Sequence, residues 1–237
     1  MFGKNAELLI DHAWGWEPCT IAAIKAYRPE NNSLGSGQVL HQPYTAEKAR
    51  LVLREMADQL SLDLASKRMM TNQIVVTIGY DRANLATQEQ KNQYRGAITK
   101  DHYGRDVPVH AHGTQNLERY TSSSKEIVKA TGELFDRITD KKLLVRRLNV
   151  VAAHVISEDK VPQAEDAVEQ LDFFTDYAAK QAEQEKKNAE LARERKRQEA
   201  MLAIKKKFGK NAILKGMNLE EGATARDRNE QIGGHKA

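Results

Sequence analysis

The sequence predicts an α+β fold: a four-stranded, mainly antiparallel sheet in β-α-β-β-α-β order, with two helices on one face. Three observations carry that expectation. Apolar residues recur at helical spacing in two stretches, Ala49, Val52, Leu53, Met56, Leu60 and Leu64, then Ile127, Leu134, Phe135 and Ile138. Residues 73–80 alternate Ile74, Val76, Ile78 and Tyr80 against Val75, Thr77 and Gly79, the two-residue period of a half-buried strand. Residues 143–156 form another β-rich run, so strand-like sequence brackets the helical stretches. Two helices on one sheet face is the economical packing for this order, and it leaves the other face, carrying Ser, Thr, Arg and Asn, open.

The elements follow in order along the chain. Residues 1–27 read as two short helices separated by Gly15, Trp16, Glu17 and Pro18, with the two tryptophans expected to pack between them. Residues 28–33 are a polar linker. The stretch 34–40 reads as a strand whose Gly35 and Gly37 let another backbone approach closely. Thr45 is a suitable N-cap for a helix over 45–66, and Glu47 suits the positive end of its dipole. After the strand at 73–80, an insertion at about 82–112 is polar, with a hairpin expected around Tyr103 and Gly104. An extended segment at 113–121 follows. Ser123 with Glu126 then has the spacing of a capping box, opening a helix through Ile138. The folded domain spans 34–157, residues 158–175 form a tether, and 176–237 form a long charged helix and tail. That helix has few apolar anchors and reads as solvated.

Composition bounds the function. Of 237 residues, 40% are hydrophobic and 30% charged, which fits one globular part with a polar extension. The net charge of +4 is mildly basic and does not by itself point to nucleic acid. The lone Cys19 excludes an intrachain disulfide framework and a multi-cysteine zinc site, and a cytoplasmic protein is the simplest expectation. His110 and His112 share a strand face but lack a third donor, so surface histidines are expected there. No convergent acid, base, nucleophile or phosphate-cradling loop is visible.

The run Gln170, Leu171, Asp172, Phe173 and Phe174 places an amide, an aliphatic and an aromatic pair in one short polar stretch. Those side chains either pack back on their own domain or serve as a docking peptide. The run resembles the linear motif by which bacterial replication and repair proteins attach to the ring-shaped sliding clamp. Its order after the domain, with the stretches from Ser33 to Gln38 and from Leu144 to Val151, resembles the Y-family translesion DNA polymerases in their bacterial UmuC-like branch. By that resemblance, residues 2–27 look like the end of the thumb, 33–157 like the little finger, and the closing stretch from Arg226 like a tail found in part of the family.

The resemblance implies a site and a role. The family's little finger lays its open sheet across the major groove and grips phosphates. Carried over, the first strand offers Gly35, Ser36, Gly37 and Gln38, the third offers Arg119, Thr121 and Ser122, and the last offers Arg147. Arg147 is preferred over Arg146 because adjacent strand residues face opposite ways unless a bulge intervenes. The expected partners are primer–template DNA, the sliding clamp, and other polymerase or SOS-regulatory subunits, with no membrane. The family's catalytic carboxylates and two magnesium ions belong to a palm domain, so no polymerase activity and no cofactor are expected of this chain alone. The alternative is a protein-interaction adaptor, with the sheet as scaffold and the charged helix binding a regulator.

Overall fold

A computed structural model describes residues 6–27, 32–161, 177–232 and 235–236. The chain divides into two units, Met1–Asn31 and Asn32–Ala237. The first holds α1 (Ala6–Ala13) and α2 (Ile21–Ala26), separated by a turn at Gly15, whose φ of 77° favours glycine. Thr20 caps α2 by accepting from the Ala23 N–H. Neither helix buries a residue, and Trp14 and Trp16 are 85% and 58% exposed. The expected packing of the two tryptophans is therefore corrected: helices of 8 and 6 residues are too short to enclose them.

The second unit begins with β1 (Leu34–Tyr44), α3 (Ala46–Ser66) and β2 (Met69–Tyr80). An insertion follows: a 3-10 turn (Arg82–Leu85), α4 (Gln88–Gln93) and the small hairpin of β3 (Ile98–Lys100) and β4 (Asp106–Pro108). β5 (Ala111–Thr121), α5 (Ser124–Ile138) and β6 (Val145–Ala153) complete the β-α-β-β-α-β frame, and β7 (Ile156–Ser157) extends β2. The C-terminal portion contains α6 (Tyr177–Phe208), α7 (Ala225–Asn229), β8 (Gln231–Ile232) and β9 (His235–Lys236).

The sheet runs β1-β6-β2-β5 with every pair antiparallel. β1 and β2 thus lie parallel on either side of β6, while β5 and β6 flank β2, so two β-α-β crossovers interleave. Their helices cover one face. Ile74, Val76 and Ile78 of β2 and Leu148, Val150 and Ala152 of β6 are all fully buried there. They pack with Val52, Leu53, Met56 and Leu60 of α3 and Ile127, Leu134 and Phe135 of α5. Each large side chain so buried contributes about 1.5–3 kcal/mol relative to exposure.

Caps form as their residue types predict. Thr45 accepts from the Lys48 N–H, and Ser123 accepts from the Glu126 N–H. The capping box at Ser123 is only half made. The Ser123 N–H donates instead to Thr121 Oγ1 at 3.0 Å, and the Glu126 carboxylate turns to Arg119. The insertion is pinned to the sheet by Asn84, which exchanges two hydrogen bonds of 2.8 and 2.9 Å with the Leu144 backbone.

The charged helix divides into two halves. Residues 181–190 are exposed along their whole length, as expected of a solvated helix. Beyond Leu191 the helix docks on the helical layer. Gln198 is 2% exposed and donates to the Ser122 carbonyl at 2.9 Å, while Glu194 accepts from Ser123 Oγ at 2.6 Å and from the Lys125 N–H at 3.0 Å. The tail then returns to α3. Glu55, 2% exposed, accepts from Asn218 Nδ2 at 2.7 Å and from the Thr224 and Ala225 N–H groups at 2.8 and 3.1 Å. Lys215 pairs with Asp58, and Arg228 donates to Gln38 at 3.1 Å. Residues 215–228 therefore act as a strap over α3 that also reaches β1.

Candidate nucleic-acid interface

The strand register arranges the second sheet face in rows across four strands. Gly37, Asn149, Thr77 and His112 form one row, and Gly35, Val151, Val75 and Thr114 the next. Val39, Arg147 and Gly79 lie beyond the first, while Ala153, Gln73 and Asn116 lie beyond the second. All of these residues are at least partly accessible. Cross-strand hydrogen bonds hold the polar ones in place. Thr77 Oγ1 and His112 Nδ1 are 2.9 Å apart, and Gln73 Nε2 donates to Asn116 Oδ1 at 2.8 Å. The surface mixes polar side chains with Val39, Val75, Val151 and Ala153, and Arg147 is the cation within these rows.

A bulge decides between the two adjacent arginines. Tyr80 pairs with Val145 and Gly79 with Arg147, which leaves Arg146 as the extra residue on β6. Its side chain turns away, donating to the His41 carbonyl at 3.0 Å and lying 3.8 Å from the Asp81 carboxylate. Arg147 is exposed on the face of Asn149, and its guanidinium has no partner among the described residues. Opposite it, a Cβ on Gly79 would lie 3.1 Å from the Arg147 Cβ. Glycine there relieves the crowding, so the arginine can rise from the sheet without displacing its neighbour.

The other positions named from sequence separate by face. Gly35 and Gly37 lie on the open face, in β1 at an edge of the sheet, where half the backbone groups of a strand lack a strand partner. Ser36 and Gln38 point toward the helical layer, and the Gln38 amide oxygen accepts from Thr224 Oγ1 and Arg228. Arg119 is exposed, and its guanidinium lies 2.6 Å from Glu126 at the start of α5. Thr121 and Ser122, by contrast, are only 4% and 6% exposed and do not lie on the open face. The register shift between Thr71 and Gln73 turns the end of β5 under α6, where Gln198 and Arg195 reach Ser122.

Thr77, Thr114, Asn116 and Gln73 were not singled out from sequence, and His112 was expected only as a surface histidine. Alternation alone assigns them to the non-apolar face, but which of them line up depends on register. Among the described residues no cluster of three or more His, Cys, Asp or Glu is arranged to hold a metal, and no helix is long and apolar enough to cross a membrane. The run from Gln170 to Phe174 lies outside the described residues.

One family model matches more than half of the chain. The model of the impB/mucB/samB family C-terminal domain matches residues 31–173. A relative described as DNA polymerase IV 2, from Halalkalibacterium halodurans, is 25% identical over 237 residues, covering 99% of this chain and 46% of its own. The chain thus spans about half the length of that curated relative. Among solved structures, an insertion ternary complex of Dbh DNA polymerase matches 57% of this chain and 33% of its own, with 13% identity and a TM-score of 0.36. A complex of the beta-clamp processivity factor and the little finger domain of PolIV matches 61% of this chain and 100% of its own, with 10% identity and a TM-score of 0.34. On the family match, covering more than half of its residues, this chain belongs to the impB/mucB/samB family, whose C-terminal domain it carries.

Proposed function

We propose that this domain holds primer–template DNA against its open sheet face without reading sequence, and docks on a sliding clamp as the non-catalytic C-terminal part of a translesion DNA polymerase. The observation that carries the reading is the division of labour between faces. One face is consumed by the core, while the other presents Arg147, Asn149, Thr77 and edge-strand backbone with no structural task beyond the sheet itself. Such groups suit phosphate and sugar contacts, which position a duplex and carry no sequence information. With one cation in these rows, affinity from this face alone is modest, and it falls as salt rises through release of counterions. A tether to the clamp compensates, because it raises the local concentration of the domain near a primer end.

Salt-titrated binding to primer–template DNA tests the first half. Binding that is insensitive to template sequence and weakens steadily with salt is expected; no affinity at low salt defeats the reading and favours an adaptor. For the second half, Leu171→Ala with Phe174→Ala should abolish capture by purified clamp while leaving the circular dichroism spectrum unchanged, because apolar anchors carry most of the energy of a small interface. Undiminished capture removes clamp docking through that run.

A further inference from the structure

A cleft of about 2100 Å³ lies on the side of the domain away from the open sheet face, between α6, the helical layer of α3 and α5, and the strap. That is roughly twice the upper end of small-molecule pockets, so a chain fits it better than a metabolite. Its floor is apolar. Val128, Leu191, Met201, Ile204, Ile213 and Met217 line it, each only half-buried. Two of these are methionines, whose unbranched side chains adapt to varied apolar partners. Its rim is cationic: Arg54 projects from α3, and Arg193, Lys196 and Arg197 form an i, i+3, i+4 set on one face of α6.

These cations differ in one respect from the rest of the rim. Arg50 is held by Asp136, Lys129 lies beside Glu133, and Lys215 is held by Asp58. The acids of the cleft are likewise engaged: Glu126 with Arg119, Glu190 with Lys125, and Glu194 with Ser123. Only Glu118 among the acids there has no hydrogen bond or salt bridge. Arg54, Arg193, Lys196 and Arg197 have no partner among the described residues. A positive, unneutralised rim around an apolar floor is complementary to an acidic segment with apolar anchors. A nucleic-acid strand fits less well, because no aromatic side chain lines the cleft to stack a base and a phosphate backbone has nothing to offer the floor.

We infer that this cleft is the docking site for an acidic amphipathic helix of a partner protein. The α6 residues that line it run from Gln184 to Ile204, about 30 Å at 1.5 Å per residue, which matches an occupant of four to six turns. Anchors at i, i+3, i+4 and i+7 meet the apolar floor, and carboxylates on the flanks meet Arg54 and the α6 cations. The surface is separate from the open sheet face, so a partner held here leaves that face available.

The test uses the full chain and a fluorescein-labelled synthetic helix of about 18 residues. It carries Leu at i, i+3, i+4 and i+7 and Glu or Asp on its other face. A scrambled peptide of the same composition and a labelled oligo-dT strand are the other arms. Saturable anisotropy with the amphipathic peptide is expected, weakened about tenfold or more by scrambling. A similar loss is expected from Arg193→Glu/Lys196→Glu/Arg197→Glu and, separately, from Ile204→Gln, with salt-dependent primer–template binding unchanged. Equal binding of the scrambled peptide, or indifference to the charge reversal, overturns the inference. Oligo-dT binding that is lost with the same three reversals and competes with the peptide also overturns it, by marking the cleft as a nucleic-acid surface.

Discussion

The two faces of β2 are built from alternate residues of one short stretch, yet they carry opposite duties. Ile74, Val76 and Ile78 are fully buried against α3 and α5, whereas Gln73, Val75, Thr77 and Gly79 remain partly accessible. The neighbouring strand repeats the division, with Leu148 and Val150 inside and Arg147 and Asn149 outside. Folding energy is concentrated on one side. The other side is held by backbone pairing and a few exposed hydrogen bonds, so its side chains are free to serve binding. Substitutions on the two faces should therefore separate stability from affinity.

Leu148→Ala is the strongest way to break this contrast. Removing a fully buried side chain should cost about 2–5 kcal/mol in chemical denaturation, while Thr77→Ala, on the outer face of the adjacent strand, should cost about 1 kcal/mol or less. Similar losses from both would mean the outer face is buried in solution. Next in size is Glu55→Ala, which strands Asn218 Nδ2 and the Thr224 and Ala225 N–H groups. A loss of about 1–3 kcal/mol is expected, with faster amide exchange across residues 215–228; unchanged exchange there would show that the strap does not depend on this carboxylate.

Arg147→Ala should leave stability within about 0.5 kcal/mol of wild type and reduce the salt slope of duplex binding by about 1. Arg119→Ala is the matched control, because its guanidinium is committed to Glu126. If both arginines change the slope equally, the assignment of faces is wrong.

The smallest effect belongs to the insertion. Arg105, by its side chain and its N–H, holds the Asp101 carboxyl down to about 2 from its usual 3.8. Lys91 and Lys100 likewise lower Asp106. A depressed carboxylate stabilises the folded form above its unfolded pKa, and that contribution is lost as pH falls through the folded value. Amide protection at Tyr103 and Arg105, which donate to Asp101, should thus fall relative to the intrinsic exchange rate between about pH 4 and pH 2, before the main sheet opens. Simultaneous loss of sheet and hairpin would contradict a locally held insertion.

Much of the frame was legible because it rests on periodicity. The alternation at 73–80, the stripes of α3 and α5, and the caps at Thr45 and Ser123 are local signals that the tertiary structure keeps. The charged helix was not legible in the same way. Its docked half is anchored by Gln198 and Glu194, polar residues that leave no trace in a hydrophobic pattern. The third strand misled for a related reason. Arg119, Thr121 and Ser122 read as a basic, hydroxyl-rich strand end, and only the register shift and the arrival of α6 decide that Thr121 and Ser122 are buried while Arg119 stays exposed beside Glu126.

By itself, the sequence determined the element order, the apolar face of each element and the presence of a polar sheet face, since these depend on neighbours a few residues apart. Tertiary structure alone decided which polar residues share that face, that a bulge turns Arg146 aside from it, and that the tail is bound through Glu55. Each of those outcomes turns on register, a bulge or a buried hydrogen bond between residues far apart in the chain, and no local pattern encodes such a meeting.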